Sequence, residues 1–364
     1  MFFPNSHSFG RTPTMSKDPA SRKTVSRKKQ HVDITLNRDV GFREKRTGLE
    51  HYEFVHNALP ELDLAEIDTS TAFLGRALSL PFMISCMTGG YAGALAINRQ
   101  LAGVCEELGI AFGVGSQRQA LQSKEYWRTF SVVREVAPTI PVIGNIGAAE
   151  VAGLKSADPV RTLVELIRAD AFAVHLNPLQ EFLQPEGTPK FRGVLDGIGM
   201  LVRSLSVPVI VKEIGAGISQ QVAIRLLDAG VTIIDVAGAG GTSWAGVEVL
   251  RSRDREFASR FWDWGIPTAE VLRDTALLKQ ERSFTLIGSG GITSGLDAAK
   301  CLALGADLAA SARPMLAALH RGGKRALHSL LASWAKELQG IMFLTGSRTI
   351  ADLQHTPLIR RGGL

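Results

Sequence analysis

The residues best suited to chemistry lie in one stretch, Ala171-Phe-Ala-Val-His175-Leu-Asn177-Pro-Leu-Gln180-Glu181. Its four leading apolar residues read as a short strand covered on both faces. A base, two amides and a carboxylate follow within seven positions, and Pro178 turns the chain out of regular structure. Such a segment either caps the next helix or forms the wall of a site. Glu181, a lone carboxylate beside an amide, suits Mg²⁺, which takes one or two carboxylates and completes its shell with waters and phosphate oxygens. Lys212 closes the apolar run Pro208-Val-Ile-Val-Lys212, where an ammonium needs a partner. It could form a Schiff base, stabilise a developing anion, lie at the pyrimidine edge of a flavin, or pair with Glu213. Ser289-Gly-Gly-Ile292 and Ser311-Ala-Arg313 could offer backbone N–H groups to a phosphate. There is no GxxxxGK[ST], so a P-loop is excluded. Gly238–Gly241 with Thr242 is a tight turn or a cofactor loop. Arg27-Lys28-Lys29-Gln30-His31 is a solvated charge run or a cationic arm that closes on an anion.

These residues need a frame. From Pro81 onward, apolar β-rich runs occupy 81–87, 110–115, 141–146, 171–176, 208–214, 232–237, 284–288 and 307–312. Helical patterns lie between them, at 96–108, 159–169, 193–204, 220–229, 268–279 and 295–304. Strand and helix in alternation give a parallel sheet with right-handed crossovers. Eight such units predict an α/β fold, a closed (β/α)8 TIM barrel, over an open eight-stranded sheet. Barrel chemistry sits at the C-terminal strand ends. Here those ends read Met87-Thr-Gly-Gly90, Gly115-Ser-Gln-Arg118, Asn145-Ile-Gly147, His175-Leu-Asn177, Lys212-Glu-Ile-Gly215, Gly238 to Ser243, Ser289 to Ile292 and Ser311 to Arg313. Eight polar or glycine-rich ends on one rim point to an active site. The expected organisation is a disordered basic extension over 1–25, an arm and lead-in over 26–80, the barrel over 81–345 and a tail over 346–364.

The 364 residues accommodate one such barrel, and no apolar run is long enough to span a membrane. Cys86, Cys105 and Cys301 are far apart, with no CxxC pair, which argues for a reducing, cytoplasmic setting and against a disulfide framework or zinc site. Residues 1–46 hold eleven Lys/Arg against four Asp/Glu, leaving thirty against thirty-one in the remainder. The net charge of +6 is therefore an N-terminal property of a nearly neutral body. Neither nucleic acid nor membrane is the expected partner, because a bare scaffold would not need eight polar strand ends.

From Arg27 to Leu319 the sequence resembles the type 2, flavin-dependent isopentenyl-diphosphate isomerases. The resemblance is carried by Arg27-Lys28-x-x-His31, Met87 to Gly90, Gly115 to Arg118, His175 to Glu181, Lys212 to Ser219, Asp235 to Trp244, Trp264-Gly-Ile-Pro-Thr268 and Ser289 to Ile292. It implies an FMN barrel that interconverts isopentenyl and dimethylallyl diphosphate, with Mg²⁺ and with FMN reduced by NADPH. It places FMN on Met87, Thr88, Gly89, Ser116, Asn145, Lys212, Ala237, Thr242, Gly290, Gly291, Ile292, Ser311 and Ala312. Substrate falls to Arg27, Lys28, His31, Ser116, Gln117, Arg118 and Gln180, catalysis to His175, Asn177 and Gln180, and the metal to Glu181. A homo-oligomer is expected. Two positions depart from many members: Ala237 replaces a serine, and Ala310-Ser311 replaces a glycine-rich turn. The rival reading is another FMN barrel of the α-hydroxy-acid oxidase type.

Overall fold

Eight parallel strands close on themselves in a computed structural model that describes residues 19–361. They are β1 (Phe82–Ile84), β2 (Ala111–Gly113), β3 (Val142–Gly147), β4 (Ala171–His175), β5 (Val209–Lys212), β6 (Ile233–Asp235), β7 (Thr285–Ser289) and β8 (Leu308–Ser311). Each pairs with the next, and β8 returns to β1. Each strand falls on its expected run, with β3 and β7 extending one residue beyond it, because short apolar runs buried on both faces leave no amphipathic alternative. Alternation then sorts the side chains: Ala171 and Ala173 of β4 fill the interior with Met83, Ile143 and Ile210, while Phe172 and Val174 face the helices. A hairpin of Thr71–Phe73 and Arg76–Leu78 sends Phe73 and Leu78 into that interior.

The expected helices form within three residues of their bounds. Ala94–Leu108 stops at left-handed Gly109, and Gln220–Asp228 and Gly295–Ala303 start at Ser219 and Ser294, whose hydroxyls accept N–H groups of the first turn. Register sets the polar rim. His175 pairs with Gly147 and Lys212, and Lys212 with Asp235, so a base, a cation and a carboxylate share one level.

The N-terminal boundary needs correction. Residues 19–25, expected to be disordered, belong to a helix, Pro19–Asn37; residues 1–18 lie outside the described residues. This arm helix has no apolar stripe to announce it. It is held by polar ties: Lys28 Nζ donates to Gly89 O (2.7 Å) and Ser116 O (2.5 Å), and Arg313 donates to the terminal carbonyls of Thr35 (2.9 Å) and Arg38 (3.1 Å). At the other end of the chain, Leu358–Arg360 pairs antiparallel with Tyr52–Phe54. No helix among the described residues is long and apolar enough to cross a membrane.

Candidate active site

The strand ends and the arm helix enclose one cavity of about 690 Å³. Of the proposed FMN residues, Met87, Thr88, Ser116, Asn145, Lys212, Ala237, Thr242, Gly290, Gly291, Ile292, Ser311 and Ala312 line it. Arg27, Lys28, His31, Arg118, His175, Asn177, Gln180 and Glu181 line it too. Two expectations need correction. Gln117 is fully buried and does not reach the cavity: its Nε2 donates to Leu163 O (3.1 Å) and its Oε1 accepts from Asn145 N (3.0 Å). It is a pin between β2 and β3. Gly89 lies behind the wall, packed on Phe130, and contributes only its carbonyl to Lys28.

On the floor, Lys212 is buried, with Nζ donating to the Glu213 carbonyl and 3.6 Å from Asp235 Oδ2. The Glu213 carboxylate is spent elsewhere, accepting the N–H groups of Ile214, Gly215 and Ala216. A simple Lys212–Glu213 ion pair is therefore ruled out. The ammonium keeps donor capacity for a ligand. Asp235 in turn accepts from the Ser289 hydroxyl.

The loops after β6 and β7 meet at glycines. A Cβ on Gly290 (φ 104°) would stand 2.1 Å from Gly238 O, and one on Gly241 2.5 Å from Gly291 N. Only glycine lets these backbones converge, as a phosphate cradle requires. Thr268, from the 264–268 motif, bridges the same loops by donating to Gly290 O (2.7 Å). Ala237 carries a left-handed backbone (φ 38°) at the end of β6.

The third wall is cationic. Arg27, Lys28 and Arg118 converge, and Arg118 pairs with Glu150 at 2.8 Å. Burial, then the neighbouring Arg27 and Arg118, lowers Lys28 to about 7. Burial, then Lys212, Lys28 and Arg27, lowers His175 to about 3. His175 is thus neutral; its Nδ1 donates to Asn145 Oδ1 (2.7 Å), which leaves Nε2 as an acceptor. Glu181 is held by Asn177 Nδ2 (3.0 Å) and Thr188 N (2.7 Å). Among the described residues no three His, Cys, Asp or Glu side chains form a metal cage. One carboxylate beside a cationic pocket fits Mg²⁺ that arrives with a phosphate ligand. Asn177 Oδ1 and Gln184 Nε2 are buried at the cavity wall without a protein partner, as a polar ligand would leave them in its absence.

Glu248 and Arg251 are parts of the site that residue spacing did not single out. Glu248 is fully buried; its Oε1 lies 2.8 Å from His31 Nε2 and accepts from Gln180 Nε2 (3.1 Å), and its Oε2 accepts from Arg251. Burial would raise this carboxyl, yet His31, Arg251 and Gln180 hold it below the usual carboxylate range. The available signal was a carboxylate inside the apolar helix Ala245-Gly-Val-Glu248-Val.

The chain matches the FMN-dependent dehydrogenase family over residues 20–154 and 171–360. The isopentenyl-diphosphate delta-isomerase of Chlorobaculum parvum is 50% identical over 351 residues, covering 93% of this chain and 98% of that one. The enzyme of that name from Methanothermobacter thermautotrophicus is 46% identical over 336 residues, covering 92% and 93%. Among solved structures, a putative lactate oxidase of Pediococcus acidilactici superposes with a TM-score of 0.68 at 18% identity, covering 94% and 93% of the two chains. A mutant flavocytochrome b2 gives 0.67 at 18%, covering 90% and 82%. At that identity these two establish the fold alone.

Proposed function

The chain belongs to the isopentenyl-diphosphate delta-isomerases built on the FMN-dependent dehydrogenase fold, and from that membership we propose how its cavity works. It converts isopentenyl diphosphate to dimethylallyl diphosphate, an isoprenoid-forming isomerisation. One observation carries the reading: the cavity gathers Arg27, Lys28 and Arg118 at one end, where Glu150 is paired with Arg118 and Glu181 carries no cation partner among the described residues, and its His31–Glu248 contact is closed on itself and not aimed at the hydrocarbon. The reaction adds a proton at the terminal methylene and removes one from C2. His175 is neutral down to about pH 3, burial pushes the Cys86 thiol up, and Glu150 is tied to Arg118. FMN, bound and reduced, supplies the proton-transfer group that these side chains lack.

Gly290, Gly291, Ser311 and Ala312 would hold the FMN phosphate at the start of helix Arg313–Thr345. Lys212, Asn145, Thr88 and Thr242 would hold its ring, and NADPH is the proposed reductant. Arg27, Lys28 and Arg118 would grip the diphosphate and Glu181 would hold Mg²⁺, which would neutralise phosphate charge there, so binding energy would be placed away from the reacting carbons. Asn177 and Gln180 orient the C5 chain, with Gln180 fixed by Glu248, while His175 steadies Asn145 and keeps Nε2 as an acceptor for a ligand. The arm helix covers one side of the cavity with Arg27, Lys28, His31, Val32 and Thr35. The hydroxy-acid oxidase rival leaves Glu181 and the arm cations without work.

A homo-oligomer is part of this proposal. Phe182, Phe257 and Trp264 are 51%, 44% and 62% exposed and form one ring cluster through Phe261. Arg255, Glu256, Arg260 and Asp263 of both signs border it, a surface suited to a second copy. The three free thiols fit a cytoplasmic setting. The test is proton NMR of isopentenyl diphosphate incubated anaerobically with protein, FMN, NADPH and Mg²⁺. Dimethylallyl diphosphate is expected; a protein that takes up no FMN would overturn the reading.

A further inference from the structure

Trp244 stands at the start of helix Trp244–Arg251, where Ser243 fixes the first turn by accepting from Gly246 N (2.9 Å) and donating to Trp262 O (2.6 Å). One side of its indole meets His31 edge-on, 5.3 Å between centroids, and His31 is itself held against Glu248. Another side lies against Gly215 (φ 147°), where a Cβ would come within 3.7 Å of Trp244 Cδ1. The ring is thus held from two directions, a rigid wall and not a mobile surface side chain.

What lies behind the wall matters. A second cavity, of only about 10 Å³, shares Gln180, Ile214, Gly215 and Trp244 with the main one. The remainder of its lining is largely apolar, with Phe42, Leu179, Ala216 and Ala245, and it reaches the exposed Trp264. Strand order sets the direction. Arg118 follows β2 and Trp244 follows β6, and in a closed eight-stranded barrel these are diametrically opposed. A chain whose diphosphate lies on Arg118 points its hydrocarbon end at the indole.

We propose that Trp244 sets the chain length this site accepts, closing its apolar end at five carbons; the inference rests on the isomerase reading above. Removing the indole joins the two cavities into an apolar channel that runs toward Trp264, with room for about one more isoprene unit. The reaction itself is unchanged for a longer chain: one proton is gained at the terminal methylene, one is lost from C2, and no co-reactant is needed. Glu248 and Gln180 remain in place, so discrimination arises from shape alone.

The probe is the ten-carbon homologue of isopentenyl diphosphate, its methyl group extended by one isoprene unit. Holoenzyme with Trp244→Ala is expected to convert it with kcat/KM at least ~10-fold above the native enzyme, the scale of a pocket-size change. Its KM for the five-carbon substrate should rise, and Trp244→Phe should still exclude the homologue. Perturbation of the flavin absorbance band by the homologue gives an independent measure of binding. The proposal is overturned if Trp244→Ala keeps FMN and five-carbon turnover yet neither binds nor converts the homologue. It is equally overturned if the native enzyme already accepts the homologue, or if kcat on the five-carbon substrate collapses with no gain on the longer one. Should the alanine variant not fold, Trp244→Leu decides by the same outcomes. A native enzyme inactive on isopentenyl diphosphate would instead sink the isomerase reading.

Discussion

Glu181 has one oxygen on Asn177 Nδ2 and the other on Thr188 N, so its orientation is set before any ligand arrives. Glu181→Gln should raise the KM for substrate and abolish its Mg²⁺ dependence while FMN remains bound; unchanged Mg²⁺ dependence would remove Glu181 from the metal role. Lys28 offers a second test. With its folded pKa about 7 against an ordinary 10.5, it is largely neutral at pH 8 before an anion binds. An anion beside it favours the charged form. Binding of Mg²⁺–pyrophosphate at pH 8 should therefore take up protons, read by calorimetry as an enthalpy that varies with buffer ionisation heat, and should take up few at pH 6. An enthalpy identical in all buffers at pH 8 would contradict this. At this scale the sequence told which side chains would reach the cavity where a residue's type and strand position agree, as for Lys212, His175 and Glu181. It was misleading at Gln117, because adjacency to Arg118 does not say which way a side chain turns: Gln117 turns inward to β3. Glu248 was missed because its partners are 217, 68 and 3 residues away, on three different elements.

Strands and crossover helices were legible because their signals are local: apolar runs for one, serine caps and glycine stops for the other. The arm helix was not, since what orders it is tertiary. Its middle is tied by Lys28 and His31, and its C-terminal carbonyls by Arg313, which directly follows the proposed phosphate turn. The long helix Arg313–Thr345 also carries a break that its sequence marks only as Gly322-Gly323. Gly323 has φ 63° and ψ −161°, a conformation essentially reserved to glycine, with no neighbour within 4 Å of a built Cβ. Gly323→Ala should accordingly lower stability by about 1–3 kcal/mol through backbone strain alone. A urea midpoint equal to the native value would show that the break relaxes freely.

The whole molecule concentrates buried cations at one end of a barrel, and its pH dependence follows. His175 has a folded value of about 3 against an ordinary 6.5, so the unfolded chain binds the extra proton between those limits. Its contribution to stability is complete above pH 6.5 and is lost as pH falls toward 3, by up to ~1.4 kcal/mol per pH unit. Urea unfolding of FMN-free protein from pH 7 to 4 should show this slope, and His175→Gln should flatten it; an equal slope in the variant would assign the acid sensitivity elsewhere. The face proposed for a second copy, by contrast, could not be located in the sequence, because Phe182 and Trp264 join one ring cluster, through Phe261, only when the β4 and β6 connections meet. Phe182→Ser with Trp264→Ser should reduce the mass measured by light scattering. The central claim, that this barrel isomerises isopentenyl diphosphate only with reduced flavin, is tested most directly by anaerobic titration with reductant. Dimethylallyl diphosphate formation should rise in proportion to bleaching of the flavin band and vanish when air restores it. A rate independent of bleaching, or none at full reduction, would contradict the account.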